Sequence, residues 1–575
     1  MLSTATQVVL EQREVYQGPD RAICHHHLET ITRRLAHLLL FPRFDVVRPY
    51  HLHQVRPLGL GLVADGRPTL GYSTLEHFLG DLEALRVAAP LGDALALRYL
   101  EIWPVPAEGD FFYLDNHRKA RYSGYSTAAG KISASDRILG GTTQLFLHDP
   151  AGHGIHMHSG PADDHMTQTL LPFVQHIVTL IGRQRVRGIV ADQEMYSVDL
   201  FLGLEAMDHL GFVTIGRTPT PEQEAAFEIE GLFVPYLWDP DSGELTHWVA
   251  HAHTLVQDRQ QGLSFQAEVT LLVDCRAGMP GRLIPVLHNL READVPVELP
   301  HQLYVGHWQG QERVFRDMRP CQNLDAHYGQ KKVAVPNRRQ ARKCEALCHK
   351  LRTWEKRVAT AQRKVQEYTE KIEAVAEKAR QKQAANQDEV AELRQAGREA
   401  TTPKQRERLL IRAERLAAKD QVQQVRFQER QRRLTTDLRA WQKKLAERQS
   451  EREKVVQALQ GLEDRPLYDF DLEKDDLMTY LRMAGENAHR FVQERYFAGT
   501  PLEKVDEATM VRVIYNQPGW VRRRGQYLHV LLQGYGDPEV QAAVARACQR
   551  VNQAQVKLVS GHQFRMEVAP EILDW

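Results

Sequence analysis

A chain of 575 residues is too long for one hydrophobic core, so three to four domains are expected. Its 74 lysines and arginines balance 74 aspartates and glutamates, so overall charge makes no case for a polyanionic partner. With 42% hydrophobic and 26% charged residues, no stretch of transmembrane length, six scattered cysteines without CxxC spacing and no signal-peptide pattern, the expectation is a reduced, cytoplasmic protein.

Residues 1–105 read as a mostly helical N-terminal region with possible DNA-binding capacity. Apolar residues recur at helical spacing over 28–40, and Ser73-x-x-Glu76 has the form of a capping box before Leu75, Phe78, Leu79 and Leu82. Over 106–219 strands and helices alternate. One strand, Phe111-Phe112-Tyr113-Leu114, ends at Asp115, and two more are expected at 143–148 and 154–158, separated by the turn Asp149-Pro150-Ala151-Gly152. A helix over 163–182 should be kinked or split by Pro172. The strand Ile189-Val190-Ala191 ends at Asp192, followed by a helix at 198–210 and a strand at 212–215. This order is similar to that of an RNase H-like domain, whose first and fourth strands lie side by side. By that analogy Asp115 and Asp192 would meet.

Residues 220–335 read as a β-rich insertion and connector, with strands at 231–238, 245–252 and 265–273 and a short helix at 280–291. From Leu351 through Trp354, Val358, Ala361, Val365, Tyr368, Ile372 and Val375 to Ala379, apolar residues alternate by three and four, as in a coiled-coil seam. Thr402-Pro403 opens a second helix, so 336–462 should form an antiparallel helical hairpin with arms of roughly 70–90 Å. Over 463–499 a helix with the stripe Leu477, Tyr480, Leu481, Ala484, Ala488 and Phe491 carries Glu494. A small C-terminal α+β region, 500–575, has strands at 527–532 and 564–568 around a helix at 539–552. The fold class is therefore α/β, or α+β taken over the whole chain.

Carboxylates that close buried runs cost several kcal/mol unless a cation compensates them, which makes Asp115, Asp192 and Glu494 candidates for one metal site. The segments around them resemble DDE-type transposases of bacterial insertion sequences, in a branch with a long helical insertion before the third acid. The first motif stands as Leu114-Asp115-Asn116-His117-Arg118 followed by Tyr122-Ser123-Gly124, the second as Ile189-Val190-Ala191-Asp192-Gln193, and the third as Arg490-Phe491-Val492-Gln493-Glu494-Arg495-Tyr496-Phe497; Val335-Pro336-Asn337, opening the long helices, also fits. Asn116, Gln193 and Phe491 replace the family's usual glycine, arginine and tryptophan. The resemblance implies that Asp115, Asp192 and Glu494 hold two Mg²⁺ ions (Mn²⁺ as a substitute) for cleavage and strand transfer. It also implies double-stranded DNA partners (terminal inverted repeats and target), a homodimer, no membrane, and a nucleoid location in the cytoplasm. Candidate DNA contacts are His117, Arg118, Lys119, Arg121, Arg338, Arg339, Arg342, Lys343 and Arg490, the hairpin residues belonging to a basic run over 331–364 that could equally be a solvated helix surface. Three alternatives stand beside this reading: Glu312 in place of Glu494 as third acid, a zinc hydrolase built on the His/Asp cluster at 148–165, and a non-catalytic DNA-binding coiled-coil protein.

Overall fold

A computed structural model describes residues 1–17, 27–55, 59–65, 67–132, 136–258, 261–276, 281–290, 295–307, 313–329, 331–462, 466–558 and 560–570. The chain divides into two compact units, 1–334 with 468–575, and 335–467.

The first unit is α+β. It opens with helices α1 (Leu2–Val15), α2 (Leu28–Leu40), α3 (Gly59–Asp65), α4 (Tyr72–Ala84) and α5 (Ala88–Ile102). No capping box starts α4: Gly71 is its N-cap, and Ser73 and Glu76 lie inside the helix. There follow β1 (Asp110–Ala120), β2 (Ala129–Ile132), β3 (Arg137–His148), β4 (Gly154–Pro161), α6 (Met166–Ile181), β5 (Val186–Ala191), α7 (Val198–Ala206) and β6 (Gly211–Ile215). Helix α6 is a single element running through Pro172 rather than two helices. Helix α7 stops at Ala206, four residues short of expectation, because Asp208 and His209 turn into the left-handed region.

A short α8 (Pro221–Glu224) leads to β7 (Glu228–Trp238), β8 (Leu245–Asp258), β9 (Leu263–Asp274) and β10 (Arg282–His288). The helix expected at 280–291 is thus a strand across its described core. Leu283, Ile284, Val286 and Leu287 suit either state, and antiparallel pairing with β6 on one side and β9 on the other decides it. The same pairing makes the insertion a continuation of the sheet. Strand order is β2-β3-β1-β5-β6-β10-β9-β8-β7, with β4 on β3. Strand β1 is antiparallel to β3 and parallel to β5, which is parallel to β6. At the centre both faces are covered: Phe112, Leu114, Ile189 and Ala191 enter the main core, while Phe111, Tyr113, Val190 and Val213 enter a second. Double burial is why these strands read as unbroken apolar runs rather than alternating ones.

After α9 (Leu299–His307), α10 (Arg313–Cys321) and β11 (Lys332–Val335), the chain passes through the second unit and returns as β12 (Leu467–Phe470) and α13 (Glu473–Tyr496). Helix α13 packs into the main core through Leu477, Met478, Tyr480, Leu481, Met483 and Ala484. Gly92 of α5 lies so close to the Tyr480 ring that a Cβ there would overlap it. Beyond α14 (Glu507–Met510), strands β13 (Gly519–Arg524), β14 (Tyr527–Leu532) and β15 (Gln563–Val568) form a small sheet covered by α15 (Pro538–Gln553).

The second unit is a helical hairpin, α11 (Arg338–Glu399) and α12 (Pro403–Gln460), each roughly 90 Å long at 1.5 Å per residue. Its antiparallel sense follows from cross-helix bonds: Arg357 carbonyl with Arg448 at 2.7 Å, Ala379 carbonyl with Gln424 at 3.4 Å, Asn386 with Asp420 at 2.6 Å. Val358, Ala361 and Val375 of the predicted seam are buried. Among the described residues no helix is long and apolar enough to cross a membrane.

Candidate active site

Strands β1 and β5 run parallel with Leu114 opposite Ala191, so Asp115 and Asp192 occupy the next positions. Strand β1 does not end at Asp115 as expected but continues to Ala120, held by pairing with β3, whereas Asp192 follows the last residue of β5. The Asp115 carboxylate accepts the Asn116 N–H at 2.7 Å. Burial, and then the charge of Asp192, push the Asp115 carboxyl up to about 8. Asp192 caps the 3₁₀ turn Gln193–Met195, accepting the Glu194 N–H at 2.8 Å, while its carbonyl accepts from the Thr214 hydroxyl at 2.8 Å. Its carboxyl is also raised, chiefly by burial.

A third acid, not anticipated from the sequence, joins this pair. Glu194 accepts from Asn116 Nδ2 at 2.7 Å and from both terminal nitrogens of Arg118 at 3.2 Å, and its charge adds to the rise at Asp115 and Asp192. The signal available was the Asp192-x-Glu194 spacing, but only cross-strand geometry brings Asn116 and Arg118 to it. One guanidinium against three carboxylates leaves the cluster short of positive charge. Oxygen-only donors suit a hard divalent cation, but the three carboxylates do not all lie within 4.8 Å of one another, so Glu194 borders the aspartate pair rather than closing a three-acid site around one ion.

Glu494 makes its contacts with other residues. One of its oxygens accepts from the Trp103 indole N–H at 2.8 Å, and the other meets His153 Nε2 at 3.0 Å. The opposite nitrogen of His153 contacts Asp149 at 2.7 Å, and the imidazole stacks on Trp103 at 3.9 Å. Despite partial burial, the bonds to His153 and Trp103 hold the Glu494 carboxyl below its ordinary value, opposite to the direction at Asp115 and Asp192. Trp103, Asp149 and His153 line a recess of about 290 Å³ with Asp110. Glu312 lies outside the described residues. It follows α9, whose Gly306 backs onto the Tyr113 hydroxyl, and precedes α10, whose Phe315 stacks on His117 at 5.4 Å.

Several expected DNA contacts are interior groups. Lys119 and Arg121 are buried, and both face Asp475 of α13, at 3.4 and 3.1 Å. His117 is buried and meets Asp325 at 2.8 Å. Arg118 is held by Glu194, and Arg490 by Glu486 at 3.0 Å and the Ala151 carbonyl at 3.0 Å. These cations compensate acids within the fold, a role that spacing alone does not distinguish from phosphate contact. Arg342 and Lys343 are exposed and Arg338 is half-buried on α11; the Arg339 side chain lies outside the described residues.

The histidines of 148–165 do not share one centre. His153 turns to Asp149 and Glu494, whereas His156 joins Asp93 and His176, both outside that segment. No family model and no curated protein matches the chain.

Proposed function

We propose that the protein is a metal-dependent polynucleotidyl transferase of the DDE transposase type, built on an RNase H-like sheet, with Asp115 and Asp192 as its metal-holding pair. The observation that carries this reading is the placement of two carboxylates at neighbouring positions of adjacent, doubly buried strands, Asp115 within β1 and Asp192 just past the end of β5. The strand order β4-β3-β1-β5-β6, with β3 alone antiparallel to both its neighbours, supports the RNase H-like assignment.

Asp115 and Asp192 would hold Mg²⁺ or Mn²⁺, with Glu194 bordering the pair. Bound there as two ions, the metal would activate water or a 3′-hydroxyl and stabilise the leaving oxygen. The chain's own residues position these oxygens. The Asn116 N–H fixes the Asp115 carboxylate, the Glu194 N–H fixes that of Asp192, and Arg118 restrains Glu194. No side chain is required as a covalent nucleophile. Double-stranded DNA is the proposed substrate, engaged by a dimer.

The test is Mg²⁺-dependent cleavage of a DNA fragment carrying the element ends. Asp115→Ala and Asp192→Ala are expected to abolish cutting, with DNA binding retained. Glu494→Ala should leave the chemistry in place. Glu194→Ala and Glu312→Ala identify which carboxylate completes the site. Full cutting by both aspartate variants would end the proposal. Cutting by neither wild type nor variants, with binding indifferent to Mg²⁺, would favour a non-catalytic DNA-binding protein.

A further inference from the structure

The strands that extend the sheet carry a second cluster of ionisable groups. Register places His251 of β8 opposite Glu230 of β7, and His253 of β8 opposite Glu268 of β9. Glu268 is in turn opposite His288 of β10, so four consecutive strands contribute to one face. That face borders a recess of about 420 Å³.

Both nitrogens of both imidazoles point at carboxylate oxygens. His251 Nδ1 lies 3.1 Å from Glu230 and its Nε2 lies 3.0 Å from Glu268; His253 Nε2 lies 2.7 Å from Glu230 and its Nδ1 lies 2.8 Å from Glu268. A neutral imidazole has one N–H, so two neutral rings can satisfy two of these four contacts. In the remaining two, a nitrogen lone pair faces an oxygen lone pair. Protonation of both rings would resolve this, and so would one divalent cation between Glu230 and the nitrogens facing it, which accepts lone pairs from nitrogen and oxygen alike while both rings donate to Glu268.

We propose that Glu230, His251 and His253 bind one divalent cation of the zinc class, with Glu268 accepting from the opposite nitrogen of each ring. Two imidazoles with a carboxylate suit such a borderline metal better than Mg²⁺. Ligand atoms of Glu230, His251 and His253 all lie within 4.8 Å of one another. Around zinc, with bonds of about 2.0–2.2 Å, tetrahedral ligands sit roughly 3.3–3.5 Å apart, so the partly exposed Glu230 carboxylate would draw back slightly from both rings, now 2.7 and 3.1 Å away, to admit the ion. The site would tie β7, whose residues are mostly exposed, to β8 and β9.

The test is titration of Zn²⁺ into the chelator-stripped full-length protein by calorimetry, with Co²⁺ absorption as a second readout. We expect one tight equivalent, and a Co²⁺ spectrum with the strong visible d–d bands of a tetrahedral ion and no thiolate charge-transfer band, unchanged in Cys344→Ser. The equivalent should be lost in the double variant His251→Ala, His253→Ala. It should weaken more than about tenfold in Glu268→Gln, which keeps the side chain's shape and removes its charge. His176→Ala, at the separate Asp93 cluster, should leave it intact. Circular dichroism establishes that each variant is folded; if the double variant is not, Glu268→Gln and the Co²⁺ spectrum decide. No tight equivalent in the wild type, undiminished binding in Glu268→Gln, or loss in His176→Ala would overturn the proposal.

Discussion

Asp115 holds its proton far more tightly in the folded chain than in the unfolded one, and stability should report the difference. Folded without metal, its carboxyl titrates at about 8; unfolded, near the ordinary 3.8. Between those values the folded state binds more protons, so this group's contribution to stability falls as pH rises and is fully lost above about pH 8. In chelator, Asp115→Asn should therefore gain about 1 kcal/mol or more on wild type between pH 5 and pH 8, read by urea unfolding. Added Mg²⁺ should stabilise wild type at pH 8 and leave the variant unmoved. An equal difference at both pH values would mean the carboxyl is not strained. Asp475 presents the reverse case. It accepts the Tyr328 N–H at 2.9 Å and neutralises buried Lys119 and Arg121. Asp475→Ala should cost about 3–5 kcal/mol because two cations are left buried without a counter-charge. Lys119→Met, close in shape and still leaving Arg121 on Asp475, should leave DNA affinity unchanged. A large loss of affinity on that substitution would return Lys119 to the DNA surface.

At the scale of elements, the packing of α5 on α13 depends on one missing side chain. Gly92 lets the Tyr480 ring lie against the α5 backbone, with the Tyr480 hydroxyl donating to the Met157 carbonyl at 2.9 Å. Gly92→Ala improves helix propensity yet should destabilise by about 1–3 kcal/mol, since the ring is fully enclosed and cannot retreat. Thermal unfolding checks the sign: a rise in Tm would mean that propensity outweighs overlap. The same elements show what a sequence can disclose. The limits of α2, and α12 starting at Pro403 after Thr402, follow from local periodicity and the Thr-Pro start. Asp115 and Asp192 are legible because each closes an apolar run. Strand β10 is not, because pairing with β6 and β9 decides its state. Glu194 is hidden for a related reason: its partners Asn116 and Arg118 lie on another strand, and no local pattern encodes that approach. Glu494 is the opposite case: a helical motif groups it with the aspartates, while the contacts it makes are with Trp103 and His153.

For the whole molecule, zero net charge restricts how DNA could be held. With 74 charges of each sign, no long-range field favours a polyanion, and any grip must come from a local excess. Much of the positive charge near the acidic cluster is committed: Lys119 and Arg121 to Asp475, Arg118 to Glu194. The residues from Lys331 to Lys364 hold twelve basic side chains against two acidic ones, and Arg342, Lys343 and Lys350 are exposed. If this run neutralises phosphates, replacing those three with glutamine should make the plot of log affinity against log salt shallower by about 2–3, near 0.9 for each phosphate charge left unneutralised. Binding would weaken similarly for every DNA sequence, because phosphate groups carry no base information. Metal-dependent cleavage at saturating DNA should persist, since none of the three lies in the acidic cluster. An unchanged slope would make this stretch a solvated helix surface and assign the DNA-binding face to the first unit.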